Sequence, residues 1–403
     1  MSRRTKIIIW LVAAALLAAL AVWLYFYFRK AEPRLPDTGA FPAPTEGIPL
    51  GEEEPTVLPE GAGAPWAFRP ILRQLSLVPI AGAVIGGKGA ETRVRYIERA
   101  NGNVIEIPAS GGEEKRLTNT TIPKVHEALW NKTGNGVILR YLKEDGETIE
   151  TFSARIKAGT GGTEGELAGT FLPAGITALA LSPSADELFY LREERGELVG
   201  IRASFTGANK TELWRSPLRE WLPLWTAEET LALVSKPSAL SPGALLSLNR
   251  SGEQERVLLS GIAGLTALPE KTVEKVLASR SSENGVELFL FVPKTRGENA
   301  LGVATLPEKC VWRTSGEALL CGVPKSIPGG SYPDSWYQGI TSFADAVYEV
   351  GTRGGSRTAL ISEISEETGA PIDLTHPALS SDERFLVFRN KNDQTLWSLQ
   401  LTE

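Results

Sequence analysis

Residues that could do chemistry are few in this chain. Among 403 residues there are two cysteines and two histidines, and the histidines, His126 and His376, lie far apart in sequence. The cysteines bound the run Cys310-Val-Trp-Arg-Thr-Ser-Gly-Glu-Ala-Leu-Leu-Cys321, which folds about Ser315 and Gly316 as a hairpin and sets Cys310 opposite Cys321. Facing residues on antiparallel strands are ~4.5–5.5 Å apart at Cα, inside the window for a disulfide. Outside the cytoplasm such a pair oxidises; inside, it stays as two buried thiols. A metal site would need further ligands, and no histidine is near in sequence.

Directly after the hairpin comes Pro324-Lys-Ser-Ile-Pro-Gly-Gly-Ser-Tyr-Pro-Asp-Ser-Trp-Tyr-Gln-Gly339. It sets Tyr332, Trp336 and Tyr337 beside Asp334 and Gln338 and stiffens them with Pro324, Pro328 and Pro333. Aromatics with polar tips, held on a loop by a rigid scaffold, suit a binding surface. These five residues are the candidate binding set. The alternative is a long inter-blade loop whose aromatics plug the ring beneath it.

Enzyme signatures are missing. The chain has no Gly-x-Ser-x-Gly, no His-Glu-x-x-His, no calcium-loop run of acids and no phosphate-loop Gly-Lys-Thr/Ser. Two histidines give imidazole base catalysis little to draw on. Carboxylate chemistry on a glycan, as a hydrolase or lyase, stays open as the alternative reading. No cofactor motif is present, so no cofactor and no metal are expected.

The elements that must position these residues are strands. From Trp66 onward apolar alternation recurs, as in Val94–Ile97 then Val104–Ile107, and Leu188–Leu191 then Leu198–Ala203. Breaks such as Glu144-Asp-Gly-Glu147 and Glu194-Arg-Gly-Glu197 suit tight hairpins. Equivalent points align at Pro79, Trp130, Ser182, Trp225, Leu268, Trp312 and Ser380. The middle spacing of about 43–44 residues matches a four-stranded propeller blade. This predicts an all-β, seven-bladed propeller, with six or eight blades also compatible. The longer last gap places an insertion in the sixth unit. The final unit supplies three strands, so Ile71–Ser76 is expected to add the fourth and close the ring; otherwise it belongs to blade one. The tryptophans at equivalent points read as core.

Leu181-Ser-Pro183, Leu379-Ser-Ser-Asp382 and Leu396-Trp397 carry a resemblance to TolB-like propellers, covering about residues 66–403. TolB-like and WD-repeat propellers serve mostly as protein-interaction platforms, and the resemblance implies such a role here. The chain is also similar to a membrane-anchored propeller group of bacteria whose role is unsettled.

Ile7–Phe28 is an uncharged stretch, preceded by Arg3, Arg4 and Lys6. Its twenty-two residues would rise about 33 Å as a helix, enough to cross a bilayer core. Trp10, Trp23, Tyr25 and Tyr27 sit where interfacial aromatics belong. Residues 29–65 hold eight prolines and the Glu52–Glu54 run, and read as a disordered tether. The expected organisation is therefore a cytoplasmic tail (1–6), a transmembrane helix (7–28), the tether (29–65) and a propeller (66–403) outside the cytoplasm. The lipid bilayer is the expected partner of Ile7–Phe28, and a protein or envelope polymer that of the propeller. The formal net charge of −6 leaves the propeller slightly acidic, without the basic footprint nucleic acid requires.

Overall fold

Alternating apolar residues and two-residue turns build the repeating unit. At Glu194-Arg-Gly-Glu197 the strands Glu187–Glu194 and Glu197–Ser204 pair up to the Glu194–Glu197 rung. The two turn residues have φ of 53° (Arg195) and 89° (Gly196), the double left-handed geometry that matches strand twist in a tight hairpin. In the computed structural model the described residues are 20, 70–161, 163–183, 187–283, 285–361 and 368–402. They form seven four-stranded antiparallel sheets, each ordered as its strands occur in the chain save the last.

The first strand of each sheet is the inner one, and most neighbouring inner strands pack on one another around the axis. These are Ile80–Gly86, Val125–Trp130, Ile176–Leu181, Trp221–Ala227, Thr266–Pro269, Cys310–Trp312 and Leu374–Leu379 for blades one to seven. The seven-blade reading is the one realised. Blade seven takes three strands from the C-terminus and its outermost from Ile71–Gln74, with Ile71 opposite Gln400 and Gln74 opposite Trp397. Leu75 N donates to Leu396 O at 2.7 Å and extends the seam. Pairing of distant chain ends thus removes the open edge.

The core lies between the sheets. Leu191, Trp214, Trp221 and Leu233 join blades three and four, with the two indoles edge-to-face at 5.4 Å. Ile80, Tyr96, Phe385 and Val387 do the same for blades one and seven. Fully burying each such aliphatic side chain stabilises by ~1.5–3 kcal/mol. Two of the aligned tryptophans also stitch blades. Trp130 Nε1 donates to Gly82 O at 3.3 Å and Trp312 Nε1 to Leu268 O at 3.2 Å, each reaching the inner strand of the preceding blade.

Cys310 pairs in register with Cys321, and the two are joined as a disulfide with Cα atoms 4.1 Å apart. Arg313 N donates to Ala318 O, so by alternation the cysteines face each other across a non-hydrogen-bonded rung, where Cα atoms come closest. The insertion is in the sixth unit, but it is not an inter-blade loop. Residues 325–344 connect the second strand of blade six, Ala318–Pro324, to the third, Asp345–Gly351. Apolar alternation in Asp345-Ala-Val-Tyr-Glu-Val returns the chain antiparallel to its own sheet. No helix among the described residues is long and apolar enough to cross a membrane. The expected tail (1–6), span Ile7–Phe28 and tether (29–65) lie outside the described residues, apart from Leu20.

Candidate functional site

The five loop residues expected to bind a ligand divide into two groups. Tyr332 and Trp336 are buried, their rings each stacked with Phe343 at centroid distances of 5.6 and 6.4 Å. Trp336, on the one-turn helix α1 (Asp334–Tyr337), donates from Nε1 to Asp373 Oδ2 at 2.9 Å. Phe343 N donates to the same oxygen at 3.0 Å. Beneath the rings Lys309 is fully buried, its Nζ 2.6 Å from Asp345 Oδ2 and ion-paired with Asp373 as well. Burial pushes Asp345 up to about 6 although Lys309 opposes the shift. Asp334 Oδ2 accepts Ala239 N of blade four at 2.6 Å, and Lys391 of blade seven lies over the Trp336 ring at 5.2 Å. Tyr332, Asp334 and Trp336 therefore fasten the insertion across blades four to seven. Tyr337 and Gln338 face outward; the Tyr337 hydroxyl donates to Glu308, whose carboxyl burial pushes up.

On the same face of the ring lies a site the sequence left unmarked. In an antiparallel meander, the connections to each inner strand and the turns between second and third strands emerge together. Pro79, Lys124 and the turns Arg99–Asn101 and Gln394 are of these kinds, as is the insertion. They border a cavity of 630 Å³ between blades seven, one and two, floored by Val78, Pro79, Val125 and Leu142. His126 borders this cavity and also a deeper one of 460 Å³ against the inner strands of the same blades.

The deeper cavity collects both histidines of the chain, with Glu127, Arg140 and Arg389. His126 and His376 each stand four residues before an aligned repeat point, Trp130 and Ser380. Repeat symmetry was the signal that could have joined them. Each sits where the inner strand loses register, between Val125 and Glu127 and between Thr375 and Ala378, a bulge that re-aims side chains. His376 has φ of 52° and is the only positive-φ non-glycine residue found within a strand among the described residues. Strain of this kind is kept where surroundings or function require it.

Hydrogen bonding orders the cluster. Arg140 Nη1 binds Glu127 Oε2 at 2.8 Å, and Nη2 donates to Ile176 O at 3.1 Å. Arg389 Nη2 donates to His376 Nδ1 at 3.2 Å, which leaves the imidazole proton on Nε2. Desolvation by surrounding protein atoms, then the Arg389 guanidinium, lower His376 to about 3; the residue is exposed, so solvent screens part of this effect. His126 is lowered by burial and then by Arg140. Arg389 itself is lowered to about 10 by burial and by the charge of Arg99. Among the described residues no group of three or more His, Cys, Asp or Glu is placed to hold a metal ion.

No family model matches the chain, and no curated protein does. Solved structures do match. The oligogalacturonate lyase of Vibrio parahaemolyticus aligns at 9% identity over 83% of this chain and 98% of its own, with a TM-score of 0.51. This chain is a seven-bladed β-propeller. TolB from Acinetobacter baumannii aligns at 12% identity over 67% of this propeller chain and 64% of its own, with a TM-score of 0.43. The Cps50 (Swd1) propeller domain of Myceliophteria thermophila aligns at 11% identity over 82% and 100%, with a TM-score of 0.48. At such identities the likeness is one of fold.

Proposed function

We propose that this propeller is a binding module, anchored in a membrane through Ile7–Phe28 and displayed outside the cytoplasm. It engages a protein or envelope polymer through the face that carries the inner-strand connections. The observation that carries this reading is the 630 Å³ cavity, whose apolar floor of Val78, Pro79, Val125 and Leu142 is rimmed by Arg99 and Lys124. Cavities of this size, apolar with a few convergent polar groups, suit ligand recognition. Glycan hydrolysis draws less support. It needs two carboxyl groups ~5–9.5 Å apart and free to act. The acids bordering the two cavities are Glu98 and Glu127. Glu127 is held by Arg140, and Glu98 Oε2 accepts from Asn101 Nδ2 at 2.6 Å. No residue of the fastened insertion lines either cavity, and Tyr337 and Gln338 are its outward residues.

The test is site-specific photocrosslinking of the full chain in its own membranes. A crosslinker at Ala100, on the cavity rim, should give a discrete adduct. One at Val257, exposed on the outer strand of blade four, should not. Equal labelling at both positions, or none at Ala100, overturns the reading.

A further inference from the structure

Charge at the cavity mouth does not balance. The ionised side chains bordering the two cavities are Arg99, Lys124, Arg140 and Arg389 against Glu98 and Glu127, in a chain whose formal net charge is −6. Both acids are already engaged, Glu127 by Arg140 and Glu98 by Asn101 and Asn103. Arg99 reaches only Gln394 Oε1, at 3.4 Å, and Arg389 reaches only the His376 ring; neither pairs with a carboxylate among the described residues. Arg389 Nε, Arg140 Nε and His126 Nδ1 are buried there without a partner. A desolvated guanidinium beside a second cation is destabilising unless an anion joins them. Such groups are kept where they serve a ligand, at a cost to the empty fold.

We propose that this mouth is an anion site, in which Arg389 and Arg99 with the His126 imidazole grip a carboxylate borne by an apolar polypeptide segment lying in the outer cavity. A guanidinium presents paired N–H donors that match a carboxylate's two oxygens. The apolar floor of Val78, Pro79, Val125 and Leu142 then covers the segment's flanking side chains. The inference rests on the binding reading above and names the chemistry of what is bound.

Calorimetric titration of the full chain with succinate, at fixed ionic strength, tests it. Succinamide serves as the neutral isostere and inorganic phosphate as the competing anion. Succinate should bind and succinamide should not, and Arg389→Gln should weaken succinate at least tenfold, with Arg99→Gln following in the same direction. Arg389→Gln without ligand should melt at or above the unaltered protein, because it removes a half-buried cation that no carboxylate pairs; a structural arginine would give a lower melting temperature. Arg389→Lys, which keeps the charge but loses the paired donors, should fall between. No response to succinate, or a response unchanged in Arg389→Gln, overturns the proposal. Binding of phosphate but not succinate overturns the carboxylate assignment. A succinate response without a crosslinked partner at Ala100 keeps the anion site and sinks only the docking reading. A crosslink without a succinate response sinks only this inference.

Discussion

Lys309 Nζ lies 2.6 Å from Asp345 Oδ2, and neither side chain touches solvent. With Asp373, they join the turn before blade six, the third strand of that blade and the start of blade seven. Breaking a buried ion pair by removing one partner typically costs ~3–5 kcal/mol, because the remaining charge stays desolvated. Lys309→Met should therefore lose about that much in denaturant unfolding. Adding Asp345→Asn and Asp373→Asn to it should restore most of the loss. A triple variant no better than the single one would mean that charge compensation is not what this position supplies. The pH dependence has a definite sign. Asp345 is raised from 3.8 to about 6, so the fold keeps a proton that the unfolded chain has released. Its contribution is fully present below pH 3.8 and is lost as pH rises towards about 6, and Asp345→Asn should remove that slope.

Trp336 and Gln338 stand two residues apart and should answer differently to truncation. Trp336 is 4% exposed, donates to Asp373 and stacks with Phe343. Trp336→Ala should cost ~3–5 kcal/mol, as for other buried tryptophans. Gln338→Ala, at an exposed position, should stay within about 0.5 kcal/mol. Equal effects of the two substitutions on thermal unfolding would contradict the fastened insertion.

Why was part of this legible in the chain and part not? The Cys310–Cys321 rung follows from spacing about Ser315 and Gly316, since hairpin register is local. The closing strand Ile71–Gln74 was legible because the last unit lacked a fourth strand and an edge must be covered. The insertion was legible as a long gap between Trp312 and Ser380. Which way Tyr332 and Trp336 turn was not. That is decided by Lys309, Asp345 and Asp373, which come from three separate segments and meet only when blades six and seven pack. The His126–His376 site needed the repeat offsets to be applied to polar residues as well as to apolar ones. Its arginines, on second strands, fall at slightly different offsets, because the blade-two and blade-seven bulges differ by a residue.

Ring closure makes a prediction about backbone donors. Leu75 and Leu396 form a bonded rung, so by alternation Arg73 N faces Ser398 while Gln74 N faces away. Arg73→Pro should remove a seam bond and destabilise by ~3 kcal/mol, whereas Gln74→Pro, with its donor on the open side, should cost much less. Chemical denaturation of both variants, with Arg73→Ala to subtract the side chain's bond to Gln400, gives the comparison. A larger loss from Gln74→Pro would reverse the inferred rung pattern.

The disulfide should contribute through the unfolded chain. It spans a sequence separation of 11, and a loop of that size is constrained by roughly 2–3 kcal/mol in the chain-entropy account. Cys310→Ala with Cys321→Ala should lose about that much, and a reductant should then leave the double variant's melting temperature unmoved while lowering that of the unaltered protein. Identical responses to reductant would show that the bond is absent from the isolated protein.

With only two histidines, imidazole NMR can follow both rings of the detergent-solubilised chain. His376 is lowered from 6.5 to about 3 and His126 is also lowered, so neither should be charged at neutral pH. The unfolded chain takes up these protons below pH 6.5 while the fold refuses them, so the histidines' contribution to stability is present above pH 6.5 and falls as pH drops through the window towards 3. Of the charges facing His376, Arg389 makes the direct contact, with Arg99 and Glu127 close to that guanidinium. Arg389→Gln should raise the His376 midpoint and move His126, whose nearer cations are Arg140 and Arg99, much less. A His376 midpoint at or above 6.5 in the unaltered protein would mean that Arg389 does not donate to the ring, and the geometry assigned to the channel mouth would fall with it.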